Sequence, residues 1–262
     1  IYPPVGPDAV SRGIDVFEAE WARALATHDT TTPSVPYDAM QLLRRPVARS
    51  TTAAVLPHLS QSTRNDVGDL ALDWIDALGP IIAARRPPAR WRRIRRREDV
   101  ARLALEDRLA ALPDAGQTPQ QVATMLAAGI QVPIAAGAFL LAWLGDQQPT
   151  EDVDPVHVVW ETLRLTPPSW IAARVTTRPA VIGGATIPAG RVIFASPLLL
   201  GRMPELVPGD PAGLASFDPA RWRDGDRRPG AWLPFGAGPH ACPGRNLGIA
   251  QLTTVAQWGL SR

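Results

Sequence analysis

The chain has 262 residues, of which 45% are hydrophobic and 20% charged. That composition excludes disorder as the main state and is enough for a sizeable buried core. All 27 basic residues are arginine and 25 residues are acidic, for a net charge of +2, which excludes a global nucleic-acid footprint. Proline, at 28 residues, is about twice as frequent as usual and predicts loops and interrupted helices.

Ile1-Tyr2-Pro3-Pro4 carries neither a basic nor an apolar leader pattern, so secretion is not expected. A helix-like run covers about Phe17 to Ala26. From Tyr37 to Leu78 apolar residues recur at helical spacing, interrupted by Pro46 and Pro57, and two or three helices fit. Residues 85–97, RRPPARWRRIRRR, hold eight arginines and lead into an amphipathic stretch from Glu98 to Leu112. That run reads as a solvated helix start beside a surface loop, or as a patch for an acidic partner, a phosphate or nucleic acid. The solvated reading is preferred.

Thr118-Pro119-Gln120-Gln121 predicts a helix start, with a capping hydroxyl and proline at the first position. The stretch Val122 to Leu144 is apolar apart from Thr124 and Gln131. It is long enough to cross a bilayer, but it lacks flanking Lys or Arg and has Gln131 and Pro133 at its middle. A buried core helix is expected, with no membrane partner. Asp154-Pro155 opens another helix, which stops at Pro167-Pro168. Between Arg174 and Pro197 short β-type runs are punctuated by Gly183-Gly184 and Pro188-Ala189-Gly190, the pattern of hairpins.

The densest signal is Phe235-Gly236-Ala237-Gly238-Pro239-His240-Ala241-Cys242-Pro243-Gly244, before a helical stretch from Arg245 to Gly259. Glycines around a lone cysteine let the backbone wrap about the sulfur, and Pro243 can begin a helix whose positive end faces the thiol. Both effects favour thiolate, the form that ligates metal or attacks as a nucleophile. A buried structural cysteine, or a nucleophile with His240 as base, fits the same spacing. A lone cysteine also excludes an internal disulfide, and a reducing, cytoplasmic setting is expected.

Phe-Gly-x-Gly-x-His-x-Cys-x-Gly is similar to the haem-binding loop of the cytochrome P-450 family, in which the thiolate is the axial iron ligand. Glu161-Thr162-Leu163-Arg164 resembles the family's Glu-x-x-Arg helix, and Phe217-Asp218-Pro219-Ala220-Arg221-Trp222 the later loop whose arginine joins that pair. The resemblance implies a mainly α fold with a small β-sheet, one domain over 1–262, and haem b as cofactor. It implies Cys242 as metal ligand, with Phe235, Gly236, Gly238 and Gly244 shaping the loop. Arg174 and His240 resemble haem-propionate contacts, as does Arg44, although Met40 stands where the family often has histidine. Glu161, Arg164 and Arg221 would form a structural network.

The resemblance spans about residues 36 to 258, in a chain much shorter than family members usually are. Parts of the N-terminal, middle and C-terminal regions look absent, as in a compact variant or an incomplete chain. The family's oxygen-activating Ala-Gly-x-acid-Thr corresponds here to Ala128-Gly129-Ile130-Gln131-Val132. Gln131 cannot ionise and Val132 has no hydroxyl, so Gly129, Gln131 and Val132 are expected to form an atypical centre with a helix kink at Pro133. Ile130, Ser169, Trp170 and Ile171 would face the substrate. The implied activity is a haem-thiolate monooxygenase acting on a small apolar, secondary-metabolite-type molecule, fed by a ferredoxin-type donor or driven by peroxide. A non-catalytic helper of a partner enzyme is the alternative.

Overall fold

A computed structural model describes residues 5–27, 38–113, 117–147, 152–207, 213–224 and 232–262; Ile1–Pro4 lie outside them. The order is α1 (Pro7–Ala26), α2 (Ala39–Val55), α3 (Gln61–Ile82), α4 (Arg93–Ala110), α5 (Pro119–Asp146), α6 (Pro155–Leu165), β1 (Ala172–Val175), β2 (Ala180–Ile182), β3 (Ala185–Ile187), β4 (Val192–Ala195), α7 (Pro197–Leu200) and α8 (Arg245–Leu260).

Side-chain caps set several helix starts. The Asp38 carboxylate accepts from the Met40 and Gln41 amides, the Ser60 hydroxyl from Thr63, and Asp154 from Val156. At α5 a full capping box joins Thr118 and Gln121, with Pro119 at the first turn, so that donors otherwise left open are satisfied. Pro46 does not interrupt α2, which runs through it. Beyond the apolar pattern that ends at Leu78, α3 continues to Ile82, and α4 starts at Arg93 rather than Glu98.

The core gathers apolar side chains from α1 to α6 and from α8. α2 is the central strut, packed on α1, α3 and α5. Inside it the Ser50 hydroxyl donates to the Gly13 carbonyl at 2.7 Å and accepts from the Gln251 amide at 2.8 Å. This buried relay binds α1, α2 and α8 together.

The β region is two antiparallel pairs rather than one sheet. β1 pairs with β4, and β2 with β3 through Ile182 opposite Ala185. Gly183 and Gly184 have φ of +56° and +79°, and two positive values in a two-residue link match the twist of a tight hairpin.

α5 is half-enclosed rather than buried all round. Its other faces pack on α2, α3, α4, α6 and α8, while Ala128, Val132 and Phe139, spaced at helical repeats, stay exposed. It is long and apolar enough to cross a bilayer, and 33% of its most apolar 18-residue stretch is buried. Its helical packing partners make it a helix of this bundle.

Candidate functional site

Glu161 and Arg164 lie one turn apart on α6, both fully buried. Glu161 Oε1 accepts from Arg164 Nη2 at 2.6 Å and from the Asp218 amide at 3.0 Å. Oε2 accepts from Arg164 Nε at 2.8 Å and from Trp222 Nε1 at 2.9 Å. Arg164 sends Nη1 to the carbonyls of Gly201 and Leu214, at 2.7 and 2.8 Å, and Nη2 also to Ser216 at 3.3 Å. Its five N–H donors are therefore all matched. Arg221 reaches the same carboxylate, Nε to Oε1 at 3.5 Å, from the 3₁₀ turn Pro219–Trp222. Arg202, near this cluster, has its pKa lowered, first by burial and then by the charge of Arg164.

A wall of indoles links this network to the cysteine loop. Trp160, Trp222 and Trp232 meet edge-on with centroids 5.4 to 6.2 Å apart, and Trp232 meets Phe235 at 6.1 Å. Trp232 Nε1 donates to the Trp160 carbonyl at 3.1 Å, and Arg245 lies over both Trp232 and Phe235. Such edge contacts add to burial and fix ring orientation. Sequence reasoning assigns Trp222 and Trp232 no role. Their signal is position: Trp222 directly follows Arg221, and Trp232 stands three residues before Phe235.

In the loop the Cys242 amide donates to the Phe235 carbonyl at 2.8 Å, and the Ala241 amide to Gly238 at 3.0 Å. Gly236 and Gly238 adopt φ of +68° and +69°, values that side-chain-bearing residues rarely hold. A Cβ at Gly244 would come within 4.0 Å of the Cys242 sulfur. The thiol is exposed and stands three residues before α8, whose first turn has no side-chain cap. Pro243 does not begin that helix. It precedes the Gly244 cap, and its carbonyl accepts from the Val5 amide at 2.9 Å.

This donor set fits an axial thiolate for a haem iron: one exposed sulfur, a loop held by its own backbone bonds, and helix amides behind it. His240 is also exposed, in the turn Gly238–His240. Arg174 is exposed on β1 and donates to the adjacent Ala173 carbonyl at 2.8 Å. Arg44 is held elsewhere: it donates to Asp76 of α3 at 2.7 Å and lines a cavity of about 650 Å³ between α1, α2 and α3. Because that cavity contains none of the loop residues, the structure does not join Arg44 to Cys242.

The oxygen-helix expectations need one correction. Ile130 is fully buried in the core, so it cannot face a substrate. A Cβ at Gly129 would meet the Thr51 methyl at 3.0 Å, so α2 comes close to α5 at this glycine. α5 also continues through Pro133. Pro133 lacks the N–H that would bond the Gly129 carbonyl four residues back, and that carbonyl accepts instead from the Thr51 hydroxyl of α2 at 3.3 Å. Val132 stays exposed, and Gln131 is half-buried. Ser169, Trp170 and Ile171 are exposed in the turn after α6, with the Trp170 carbonyl accepting from Ser196.

Comparison with known proteins agrees with these features. Residues 156–262 match the family model described as Cytochrome P-450. A cyclooctat-9-en-7-ol 5-monooxygenase from Streptomyces melanosporofaciens is 38% identical over 176 residues, 57% of this chain and 37% of that protein. The chain thus spans little more than a third of that relative. Among solved structures, CYP175A1 from Thermus thermophilus superposes with a TM-score of 0.76 at 22% identity, covering 98% of this chain and 67% of that one. A six-coordinated cytochrome P-450 from the same species gives 0.70 at 22% identity, covering 98% and 69%. The fold is shared with these proteins.

Proposed function

The chain belongs to the cytochrome P-450 family, and from that premise we propose that it is one haem-binding domain acting as a haem-thiolate monooxygenase on a small apolar molecule. The observation that carries this reading is the exposed Cys242 thiol in a loop whose backbone is already fixed by Phe235. Haem b, when bound, would supply the activation of oxygen.

Each residue then has a task that its own chemistry sets. Cys242 would hold the haem iron as thiolate, a form favoured by the end of α8. Phe235 shields the sulfur, while Gly236, Gly238 and Gly244 keep the loop close. His240 and Arg174, both exposed, neutralise propionates. The exposed α5 positions Ala128, Val132 and Phe139 offer an apolar wall, with Trp170 and Ile171 beyond the α6 turn. The name of the Streptomyces relative describes oxidation of an unsaturated cyclic alcohol, which supports a secondary-metabolite-type substrate of that class.

Gln131 and Val132 neither ionise nor donate a hydroxyl proton, and the Thr51 hydroxyl is committed to Gly129. Protons therefore come through water, from the substrate or with the oxidant, and hydrogen peroxide, which carries its own, is the simpler oxidant. A ferredoxin-type donor serves the dioxygen route, and a reducing, cytoplasmic setting keeps Cys242 free.

The test is the absorption spectrum of the haem-loaded, reduced protein under carbon monoxide, beside Cys242→Ala. A strongly red-shifted Soret band lost in the variant is expected. A spectrum unchanged by the substitution would overturn thiolate ligation and favour the partner-helper alternative.

A further inference from the structure

The cavity of about 650 Å³ between α1, α2 and α3 shares no residue with the cysteine loop, and the proposed chemistry leaves it without a task. Its charges are sorted by wall. Arg23, Arg44, Arg45 and Arg49 line it from α1 and α2, whereas Asp69 and Asp73 line it from α3, one helical turn apart. Some of these groups are already engaged within the protein. Glu20, a lining residue whose side chain is 4% exposed, pairs with both Arg23 and Arg49, and Arg44 pairs with Asp76. Arg45, Asp69 and Asp73 remain, and none of them makes an ion pair or a side-chain hydrogen bond among the described residues. Apolar side chains supply much of the other lining, with Leu42 and Leu72 buried and Ala24 and Pro46 beside them in the sequence of each wall.

Two features of this arrangement point to a ligand of one kind. Asp69 and Asp73 are like charges at i and i+4 of α3, a spacing that costs helix stability unless a cation stands over them. Arg45 lines the same cavity as these carboxylates yet pairs with neither. A simple anion would suit Arg45 but meet the two aspartates, and a simple cation would suit the aspartates but meet the arginines. A dipolar molecule without net charge satisfies both walls. The planar fork of Arg45 matches a carboxylate, the aspartates match an ammonium group, and an apolar side chain can be buried against Leu42 and Leu72.

We propose that this cavity binds a small dipolar molecule, an α-amino acid with an apolar side chain, with its carboxylate on Arg45 and its ammonium group on Asp69 and Asp73. The sequence does not show this site, because Arg45 and Asp73 stand far apart in the chain and only the packing of α2 beside α3 brings them to one cavity. Binding here stands whether or not haem binds at Cys242.

Calorimetric titration of the full chain at neutral pH tests the site with three probes: L-leucine, 4-methylpentanoate, which lacks the ammonium group, and 3-methylbutylamine, which lacks the carboxylate. Leucine should bind at least about tenfold more tightly than either of the others, because each of those leaves one charged wall unmatched. Arg45→Gln and Asp73→Asn should each weaken leucine binding by about tenfold or more. Both positions are exposed, and unchanged thermal melts verify that the fold is kept. No leucine binding up to about 10 mM, equal binding of the three probes, or leucine binding that either variant leaves unweakened would overturn the proposal. Binding of inorganic phosphate without binding of leucine would also overturn it, in favour of an anion site.

Discussion

The α6 network and the cysteine loop lie a few side chains apart yet are built on opposite terms. Around Glu161 both carboxylate oxygens and every Arg164 donor are matched inside the protein, with no water needed. In the loop the backbone is satisfied, but the Cys242 sulfur, the His240 ring and the first turn of α8 face outward. The first arrangement is complete as it stands and serves stability. The second spends its hydrogen bonds on shape and leaves its reactive atom free, as a binding site requires. The indole wall from Trp222 through Trp232 to Phe235 is the mechanical link between them.

If that contrast is right, substitutions should separate stability from ligand chemistry. The largest loss should come from Glu161→Gln. It keeps the shape but strands the buried charge of Arg164, and breaking such a pair costs about 3–5 kcal/mol. Urea unfolding should show most of the stability gone, and a loss under about 1 kcal/mol would mean that the network is not the anchor described.

Trp222→Phe keeps the ring but removes one hydrogen bond to a buried carboxylate. The expected cost is about 1.5–3 kcal/mol, read in the same titration. A broadened Soret band in the haem-loaded variant would show that the indole wall transmits the change to the loop.

Thr51→Val is smaller and more local. It keeps the volume that fits against Gly129 but orphans that carbonyl, for about 1–3 kcal/mol, whereas Thr51→Ser keeps the bond and should cost less. A valine variant as stable as the parent would show that Thr51 does not serve as the missing partner for Pro133.

Cys242→Ala should have the smallest effect on folding, with a thermal midpoint unchanged in the haem-free protein because the thiol is exposed and little surface is lost from burial. Calorimetry checks this. A marked destabilisation would make the cysteine structural and remove the contrast between the two regions.

Much of this was legible along the chain, because the features involved are local. Helix caps such as Thr118 and Asp154 act within one turn, the Gly183-Gly184 hairpin closes in two residues, and the glycines around Cys242 set its loop geometry within ten. Helical spacing lets Glu161 and Arg164 pair one turn apart, and family resemblance brought Arg221 to them. The misreadings share one cause. Ile130 and Arg44 were assigned by their place in a motif, but the direction in which a helical side chain points depends on what packs beside it.

What the sequence by itself determined is therefore the set of short-range structures and the identity of the reactive sulfur, because caps, turns and one loop act over a few residues. Only the tertiary structure decided which helix faces stay open. It turned Ile130 inward and Val132 outward, gave Arg44 to Asp76, and used the Thr51 hydroxyl to complete a carbonyl that Pro133 leaves bare. It also left Ile82, Trp91 and Val100 exposed. Those outcomes depend on contacts between residues tens of positions apart, and packing settles them because each face can be buried against only one neighbour.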